Sequence, residues 1–268
     1  HFQIVPSHTV HICTSSLHIT ALSRAGGGPH ASPMTNTLRD WAVFSLSFAL
    51  TACTAPVHDS RASKPHTLRA LYGLAPPASL ERAKTALLLV DFQREFFEGA
   101  LPLPDGADAV AHARQLLSWA RRENILVVHV HNVAKQPDSP VFRAGSTQVE
   151  AVPELARDAN DWVVTKAAAG AFTRTELDAR LRERGIRSLI VAGLMTHLAV
   201  DSTARDATLL GYAVIVASDA TATRDLPGMD GAPLVHHADV QRVALASLAD
   251  RFADIASTRA ITSFRVAP

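Results

Sequence analysis

Two side chains of opposite charge, Asp91 and Lys166, each follow a run of apolar residues. Asp91 comes directly after residues 86–90, and Lys166 comes directly after residues 162–165. A lone carboxylate is costly to bury at the end of an apolar strand, so a nearby cation would stabilise its ionised form. Such a pair can transfer protons in acid–base catalysis. It can also be a structural ion pair at a sheet edge, and both interpretations stay open.

A glycine-led segment, residues 193–200, is the second candidate for chemistry. It reads Gly-Leu-Met-Thr-His-Leu-Ala-Val and joins a predicted strand to a predicted helix. Backbone N–H groups at the start of a helix can bind an oxyanion. The same spacing is found in ordinary strand-to-helix turns.

His129 and His131 lie two residues apart on a predicted strand, so they share one of its faces. Two such histidines could contribute to a metal site. Because no third ligand stands nearby in the sequence, we predict one core histidine and one histidine, His131, that lines the site. We predict no bound metal and no cofactor.

The elements that must position these residues alternate between strands and helices. Strands are predicted at residues 86–90, 125–130, 162–165, 189–192, 213–217 and 260–262, and helices at 105–122, 203–210, 240–255 and from a capping box at 173–176 to Gly185. This alternation predicts a parallel sheet with helices on both faces. Sites in such folds lie beyond the carboxyl ends of the strands. We therefore expect Asp91, Lys166 and the glycine-led segment to meet at one edge.

Composition narrows the class of protein. The 268 residues are 47% hydrophobic, and 26 basic against 25 acidic residues give a net charge of +1. This composition is that of a globular protein, and the charge does not favour nucleic acid or an anionic membrane as a partner. The two cysteines are Cys13 and Cys53. A disulfide framework, a zinc–cysteine site and a cysteine nucleophile are therefore excluded after residue 53.

Residues 1–65 differ from the rest and are predicted to be a leader outside the folded domain, which spans residues 66–268. From Met34, a candidate start residue, a basic residue and an apolar run lead to Leu-Thr-Ala-Cys at residues 50–53. This order is typical of a secretory signal with a lipoprotein processing box. Lipidation of Cys53 would anchor the protein to a membrane. The alternative is a disordered leader, so the localisation stays open between the cytoplasm and a lipidated periplasmic form.

Five ordered motifs in the second region point to one family. They are residues 87–93 (LLLVDFQ), Lys166 with residues 170–172 and 175–177, residues 193–205 (GLMTHLAVDSTAR), residues 218–227 (SDATATRDLP) and residues 245–253 (LASLADRFA). From about His66 to its end, the chain resembles the isochorismatase-like hydrolase superfamily, particularly its cysteine hydrolase branch.

The resemblance implies a three-layer αβα fold around a parallel sheet of about six strands. It implies that Asp91 is the catalytic acid/base and Lys166 its partner. A cis peptide is expected before Met195, and the N–H groups of Met195 and Ala199 would form an oxyanion hole. Nicotinamidases of the superfamily carry an Asp-x-His-Pro motif with further metal-binding histidines. Residues 129–137 lack that motif, which agrees with the prediction of no metal.

The expected ligand is a small molecule, and family members commonly form homo-oligomers. We expect five residues to line the substrate pocket: Phe92, His131, Phe172, Thr196 and His197. Core packing is the simpler interpretation of any single phenylalanine.

The chain departs from the pattern at Ala199, where the amidase members carry a nucleophilic cysteine. Three alternatives follow. Asp91, with its pKa tuned by Lys166, could protonate a vinyl ether as in isochorismatases. The chain could instead be an amidase scaffold inactivated by the alanine, whether natural or introduced. It could also be a binder of small molecules without catalytic activity.

Overall fold

The computed structural model describes residues 66–268. The predicted leader, the signal at residues 34–53 and the lipidation of Cys53 lie outside the described residues. Within residues 66–268, none of the helices has the length and apolar character needed to cross a membrane.

Six parallel strands form the central sheet, which confirms the predicted architecture. The strands of the chain are β1 (Ser79–Glu81), β2 (Thr85–Val90), β3 (Leu126–Asn132), β4 (Trp162–Lys166), β5 (Ser188–Leu194), β6 (Ala213–Ala222), β7 (Asp254–Ala256) and β8 (Arg265–Ala267). Strands β2 to β7 pair in the order β4-β3-β2-β5-β6-β7, and β1 pairs with β8 in a separate sheet. The order places β2, which precedes Asp91, between β3 and β5.

Helices cover both faces of this sheet. They are α1 (Leu68–Leu71), α2 (Glu95–Glu98), α3 (Gly106–Arg122), α4 (Leu177–Glu183), α5 (Asp201–Leu209), α6 (His237–Arg251) and α7 (Thr258–Thr262), with a π-helical turn at Thr196–Val200 before α5. All of β2 is buried, and alternate residues of a strand point to opposite faces. Leu87 and Leu89 therefore pack in the apolar cluster that contains α3. Leu88 packs in a second cluster with α4 and α5.

The last predicted strand, residues 260–262, is wrong. These residues belong to α7, whose first turn is capped by Ser257 because its hydroxyl accepts a hydrogen bond from the Ala260 N–H group. The sixth strand of the sheet is β7, which pairs in parallel with residues 215–217 of β6. The sequence pattern had extended a helix across this segment, but α6 ends at Arg251.

The capping box predicted at residues 173–176 is also not formed. Helix α4 begins at Leu177, and its N-cap residue, Glu176, makes no capping hydrogen bond through its side chain. The Thr173 hydroxyl instead contacts the carboxylate of Asp206 in α5 at 3.4 Å. A tertiary contact has replaced the local one.

Candidate active site

The structure brings Asp91 and Lys166 together at the carboxyl edge of the sheet. The Lys166 Nζ atom donates hydrogen bonds to Asp91 Oδ2 at 2.7 Å and to the Ala168 carbonyl oxygen at 3.0 Å. Asp91 is 3% exposed and Lys166 is 4% exposed. Within residues 66–268, the second carboxylate oxygen, Asp91 Oδ1, has no hydrogen-bond partner. That oxygen is therefore buried without a partner.

Burial raises the pKa of Asp91 to about 6, because the charged form loses its solvation. The Lys166 ammonium acts in the opposite direction and holds this pKa lower than burial alone would. The Asp91 carboxyl group can therefore both hold and release a proton near neutral pH.

Asp91 lies at a sharp bend of the backbone. Its φ angle is 55°, in the left-handed region that aspartate tolerates better than most residues. The bend is held by hydrogen bonds from the Asp91 N–H group to the Val130 carbonyl and from the Gln93 N–H group to the Asp91 carbonyl, both 2.8 Å long. Strand β2 therefore ends at Val90, and Asp91 carries its carboxylate directly after the strand.

Gln93 is a positioning residue that sequence reasoning did not single out. Its Nε2 atom donates to the carbonyl oxygens of Asn132 at 2.9 Å and Val149 at 2.8 Å. Its Oε1 atom accepts from the Asn132 N–H group at 2.8 Å. Gln93 is fully buried, and it joins the end of β2 to the end of β3 and the following loop. The sequence signal that could have indicated this role is the polar side chain of Gln93 at the end of the mostly apolar segment 87–93.

Replacing Gln93 by Ala should lower the free energy of unfolding by about 1–3 kcal/mol, because partly buried backbone groups of Asn132 and Val149 lose their partner. Denaturant unfolding of this variant, beside an exposed control on α3, Gln115→Ala, would measure the difference. Equal stability of the two variants would contradict this role for Gln93.

The glycine-led segment forms the other wall of the site. Val90 pairs with Gly193, so the end of β5 lies beside Asp91. A side-chain carbon at Gly193 would lie 2.5 Å from the Val90 carbonyl oxygen, and only glycine permits this close approach. The Leu194–Met195 peptide is cis, as the resemblance implies. The turn then enters the π-helical segment Thr196–Val200.

Ala199 lies in this segment and is 4% exposed. It packs in the apolar cluster formed with α4 and α5. Its methyl group offers no nucleophile. Met195 is buried too, and its carbonyl oxygen accepts from the N–H groups of Leu198 at 3.1 Å and Val200 at 3.2 Å.

The loop after Lys166 is tied to the helix that follows Ala199. The Ala171 N–H group donates to the Thr203 hydroxyl of α5 at 3.0 Å. Gly170 packs closely against the Asp206 carboxylate, which would have to shift to admit a side chain at this position. These contacts join the loop after Lys166 to α5, the helix that follows Ala199.

The five predicted pocket residues lie in different surroundings. Thr196 is fully buried, and its hydroxyl has no hydrogen-bond partner within residues 66–268. His197 is half-buried and its Nδ1 atom is hydrogen-bonded to the Thr223 hydroxyl. Phe92 is buried in the apolar cluster that contains α3. Phe172 stacks on Tyr212, with 5.8 Å between ring centroids.

His131 is half-buried, and its ring centroid lies 6.4 Å from that of His129. His129 is the core histidine, hydrogen-bonded to the buried Asp161 at 3.1 Å. Burial lowers the pKa of both histidines and of His197. All three are therefore expected to be neutral at pH 7. Among residues 66–268, no cluster of three or more histidine, cysteine, aspartate or glutamate side chains is placed to hold a metal ion.

A cavity of about 510 Å³ adjoins Lys166, a size suited to a small molecule. It is lined by Val133, Ala134, Lys135, Gln136, Thr165, Lys166, Ala167, Ala168, Thr173 and Arg174. Another cavity, of about 530 Å³, involves Arg82, Arg121, Asp161, Trp162 and Arg184. That cavity lies where the central strands begin, at the edge of the sheet away from Asp91.

Comparisons with known proteins identify the family and agree with the fold. The isochorismatase domain model matches residues 85–260. A secreted isochorismatase effector of Verticillium dahliae is 34% identical over 196 residues, which cover 73% of this chain and 98% of that protein. The crystal structure of an isochorismatase from Pseudomonas putida has a TM-score of 0.68 at 32% identity and covers 73% of this chain and 98% of that one. A cysteine hydrolase from Pseudomonas syringae has a TM-score of 0.65 at 29% identity and covers 70% of this chain and 97% of that one. The chain belongs to the isochorismatase family of small-molecule hydrolases.

Proposed function

We propose that this chain hydrolyses a small molecule by acid catalysis from Asp91, with water as the nucleophile. The observation that carries the proposal is the buried Asp91–Lys166 pair, which leaves Asp91 Oδ1 without a partner. Ala199 also supports the proposal, because its methyl group is not a nucleophile and cannot form an acyl-enzyme.

A vinyl ether fits this chemistry. Protonated Asp91 would give its proton to the terminal vinyl carbon, which leaves an oxocarbenium ion. Water adds to the cationic carbon and returns a proton to the Asp91 carboxylate. The resulting hemiketal breaks its C–O bond and yields a carbonyl compound and an alcohol. The name of the Verticillium relative, an isochorismatase, supports a substrate of this class.

Lys166 has a positioning and electrostatic role in this scheme. Its ammonium contacts only one carboxylate oxygen, so it orients Asp91 while the other oxygen faces no competing donor. The N–H groups of Met195 and Ala199 are proposed to form an oxyanion hole for acyl transfer; the vinyl ether route, whose intermediate is a cation, does not depend on it. Phe92, His131, Phe172, Thr196 and His197 remain the proposed lining around Asp91, although none of them lines the cavity beside Lys166.

A second candidate is an amidase scaffold without its nucleophile. The turn at residues 195–199 supports it, because Ala199 occupies the position of the nucleophilic cysteine in the resembled amidases. The Pseudomonas syringae structure, named a cysteine hydrolase, supports it too. A non-catalytic binder is the third alternative.

Assays of the wild type and the Ala199→Cys variant, side by side on isochorismate and small amides, separate these candidates. We expect the wild type to hydrolyse isochorismate and the added thiol to change that rate little, because the acid route needs no nucleophile at residue 199. The control is Ser202→Cys, which places a thiol in α5, the helix that follows the π-helical turn of Ala199. Amide cleavage by Ala199→Cys alone would favour the amidase scaffold. Ligand binding without turnover by either protein would favour the binder.

A further inference from the structure

The cavity at the amino edge of the sheet is lined by arginines from three separate segments. Arg82 lies in the turn before β2, Arg121 in the last turn of α3 before β3, and Arg184 between α4 and β5. Strand β2 is paired in parallel with both β3 and β5, so these three strands begin side by side. The fold therefore brings three arginines, far apart in sequence, to one cavity of about 530 Å³.

Two of these arginines have no partner for their charge. Within residues 66–268, neither Arg82 nor Arg184 forms a salt bridge. Arg82 is half-buried, and its Nε atom is buried without a hydrogen-bond partner in that part of the chain. Partial removal of a cation from water is unfavourable unless a counter-charge replaces the water. An anion in the cavity would supply that counter-charge.

The two carboxylates of the lining do not fill this role. The buried Asp161 carboxylate accepts hydrogen bonds from Arg121 and from the Asp158 N–H group, the latter at 2.9 Å. Asp158 itself is exposed, and its Oδ1 atom accepts from the Ala159 N–H group at 2.6 Å. Three arginines against two aspartates leave the lining with an excess of positive charge.

We infer that this cavity is a second binding site, which takes a small phosphate monoester through Arg82 and Arg184. A guanidinium group presents five N–H donors in a fixed fork that fits pairs of phosphate oxygens. A phosphate monoester has three free oxygens and a charge of about −1.5 to −2 near pH 7. It can therefore accept hydrogen bonds from two arginines at once, whereas a carboxylate has only two oxygens to share between them.

The remaining lining suits the organic part of such an ester. Ile125, Trp162 and Ile186 contribute apolar side chains to the same cavity. A cavity of this size that combines apolar walls with a few charged groups is typical of a small-molecule site.

The site is separate from Asp91. The six residues of β2 lie between the turn of Arg82 and Asp91, and six extended residues span roughly 20 Å. The chemistry proposed for Asp91 does not use this cavity. The inference therefore does not depend on the proposed function.

Calorimetry with phenyl phosphate as the probe, in a buffer free of phosphate, tests the site. Arg82→Gln and Arg184→Gln should each raise the Kd by about tenfold or more, because hydrogen bonds between charged groups are lost. Arg82→Lys keeps the charge without the fork, so it should raise the Kd less than Arg82→Gln. Asp91→Asn should keep the wild-type Kd. So should the matched control Arg122→Gln, which removes an exposed charge outside the cavity.

Two further probes separate the phosphate group from the ring. Phenol carries no anion and should not bind, and benzoate should bind at least about tenfold more weakly than phenyl phosphate because it offers fewer acceptor oxygens. Benzoate binding as tight as that of phenyl phosphate would overturn the assignment to phosphate esters.

Three outcomes would overturn the site itself. They are no binding of phenyl phosphate by the wild type, equal Kd values in Arg82→Gln, Arg184→Gln and Arg122→Gln, and a Kd that rises in Asp91→Asn. Denaturant unfolding checks that the variants are folded. Because Arg82 and Arg184 form no salt bridge in the described region, their Gln variants should unfold near the wild-type midpoint. A large loss of stability would instead give these arginines a structural role.

Discussion

Asp91→Asn is expected to lower kcat/KM by about 10²–10⁴-fold, the usual contribution of a general acid. The substitution keeps the size of the side chain and an oxygen that can accept the hydrogen bond from Lys166. It removes the only group at this position that can donate a proton with a pKa near 6. Steady-state kinetics on the substrate that the wild type hydrolyses would measure the loss.

The control for this variant is Asp201→Asn. Asp201 is a half-buried carboxylate at the start of α5, paired with Arg205, and the proposed chemistry does not use it. Comparable activity losses in the two variants would mean that Asp91 has no special role. The wild-type pH profile gives a second check. Because the acid form of Asp91 is the active one, kcat/KM should fall as the pH rises above about 6.

In Lys166→Met, the fall in kcat/KM should occur at a higher pH than in the wild type. The Lys166 ammonium lowers the pKa of Asp91 against the effect of burial. Without the ammonium, burial acts alone and the pKa of Asp91 rises above its wild-type value. Activity should then persist to higher pH, provided that the variant still binds substrate. A profile whose limb stays near pH 6 would contradict the assigned role of Lys166.

The same variant should lose stability in a pH-dependent way. A carboxyl group with a raised folded-state pKa binds its proton more tightly in the folded than in the unfolded state, so stability falls as the pH rises between the two pKa values. In the wild type this fall begins near the model-peptide pKa of 3.8 and ends near pH 6. In Lys166→Met it continues to higher pH. The loss relative to the wild type should therefore grow above pH 6, towards about 3–5 kcal/mol, as is typical when a buried charge loses its partner.

Denaturant unfolding at pH 5 and pH 8 measures this loss. The control is the double variant Asp91→Asn/Lys166→Met, which removes both buried charges. Replacing a whole buried ion pair by neutral groups is often nearly neutral for stability, so the double variant should be more stable than Lys166→Met at pH 8. An equal loss for Lys166→Met at both pH values would exclude a charged Asp91 as the cause.

The sequence alone determined the layers of the fold and the first two members of the candidate site. Apolar runs such as residues 86–90 recur between helical patterns, and burial on both faces of a strand explains them. Asp91 and Lys166 follow two of these runs. Because the ends of parallel strands meet at one edge, their proximity could be predicted, although 75 residues separate them. That Ala199 stands where the amidases carry their nucleophile remains a prediction from the resemblance.

The tertiary structure decided features that depend on distant partners. Residues 254–256 form a strand because β6 offers an unpaired edge, whereas their local pattern continued a helix. Gln93 joins β2 to β3 only because the backbone of Asn132 lies within hydrogen-bond distance. Lys135 and Arg174 line the same cavity only because the fold brings together two loops that are far apart in sequence. Hydrophobic periodicity specifies which face of an element is buried, but charge balance around a cavity depends on which loops the completed fold brings together.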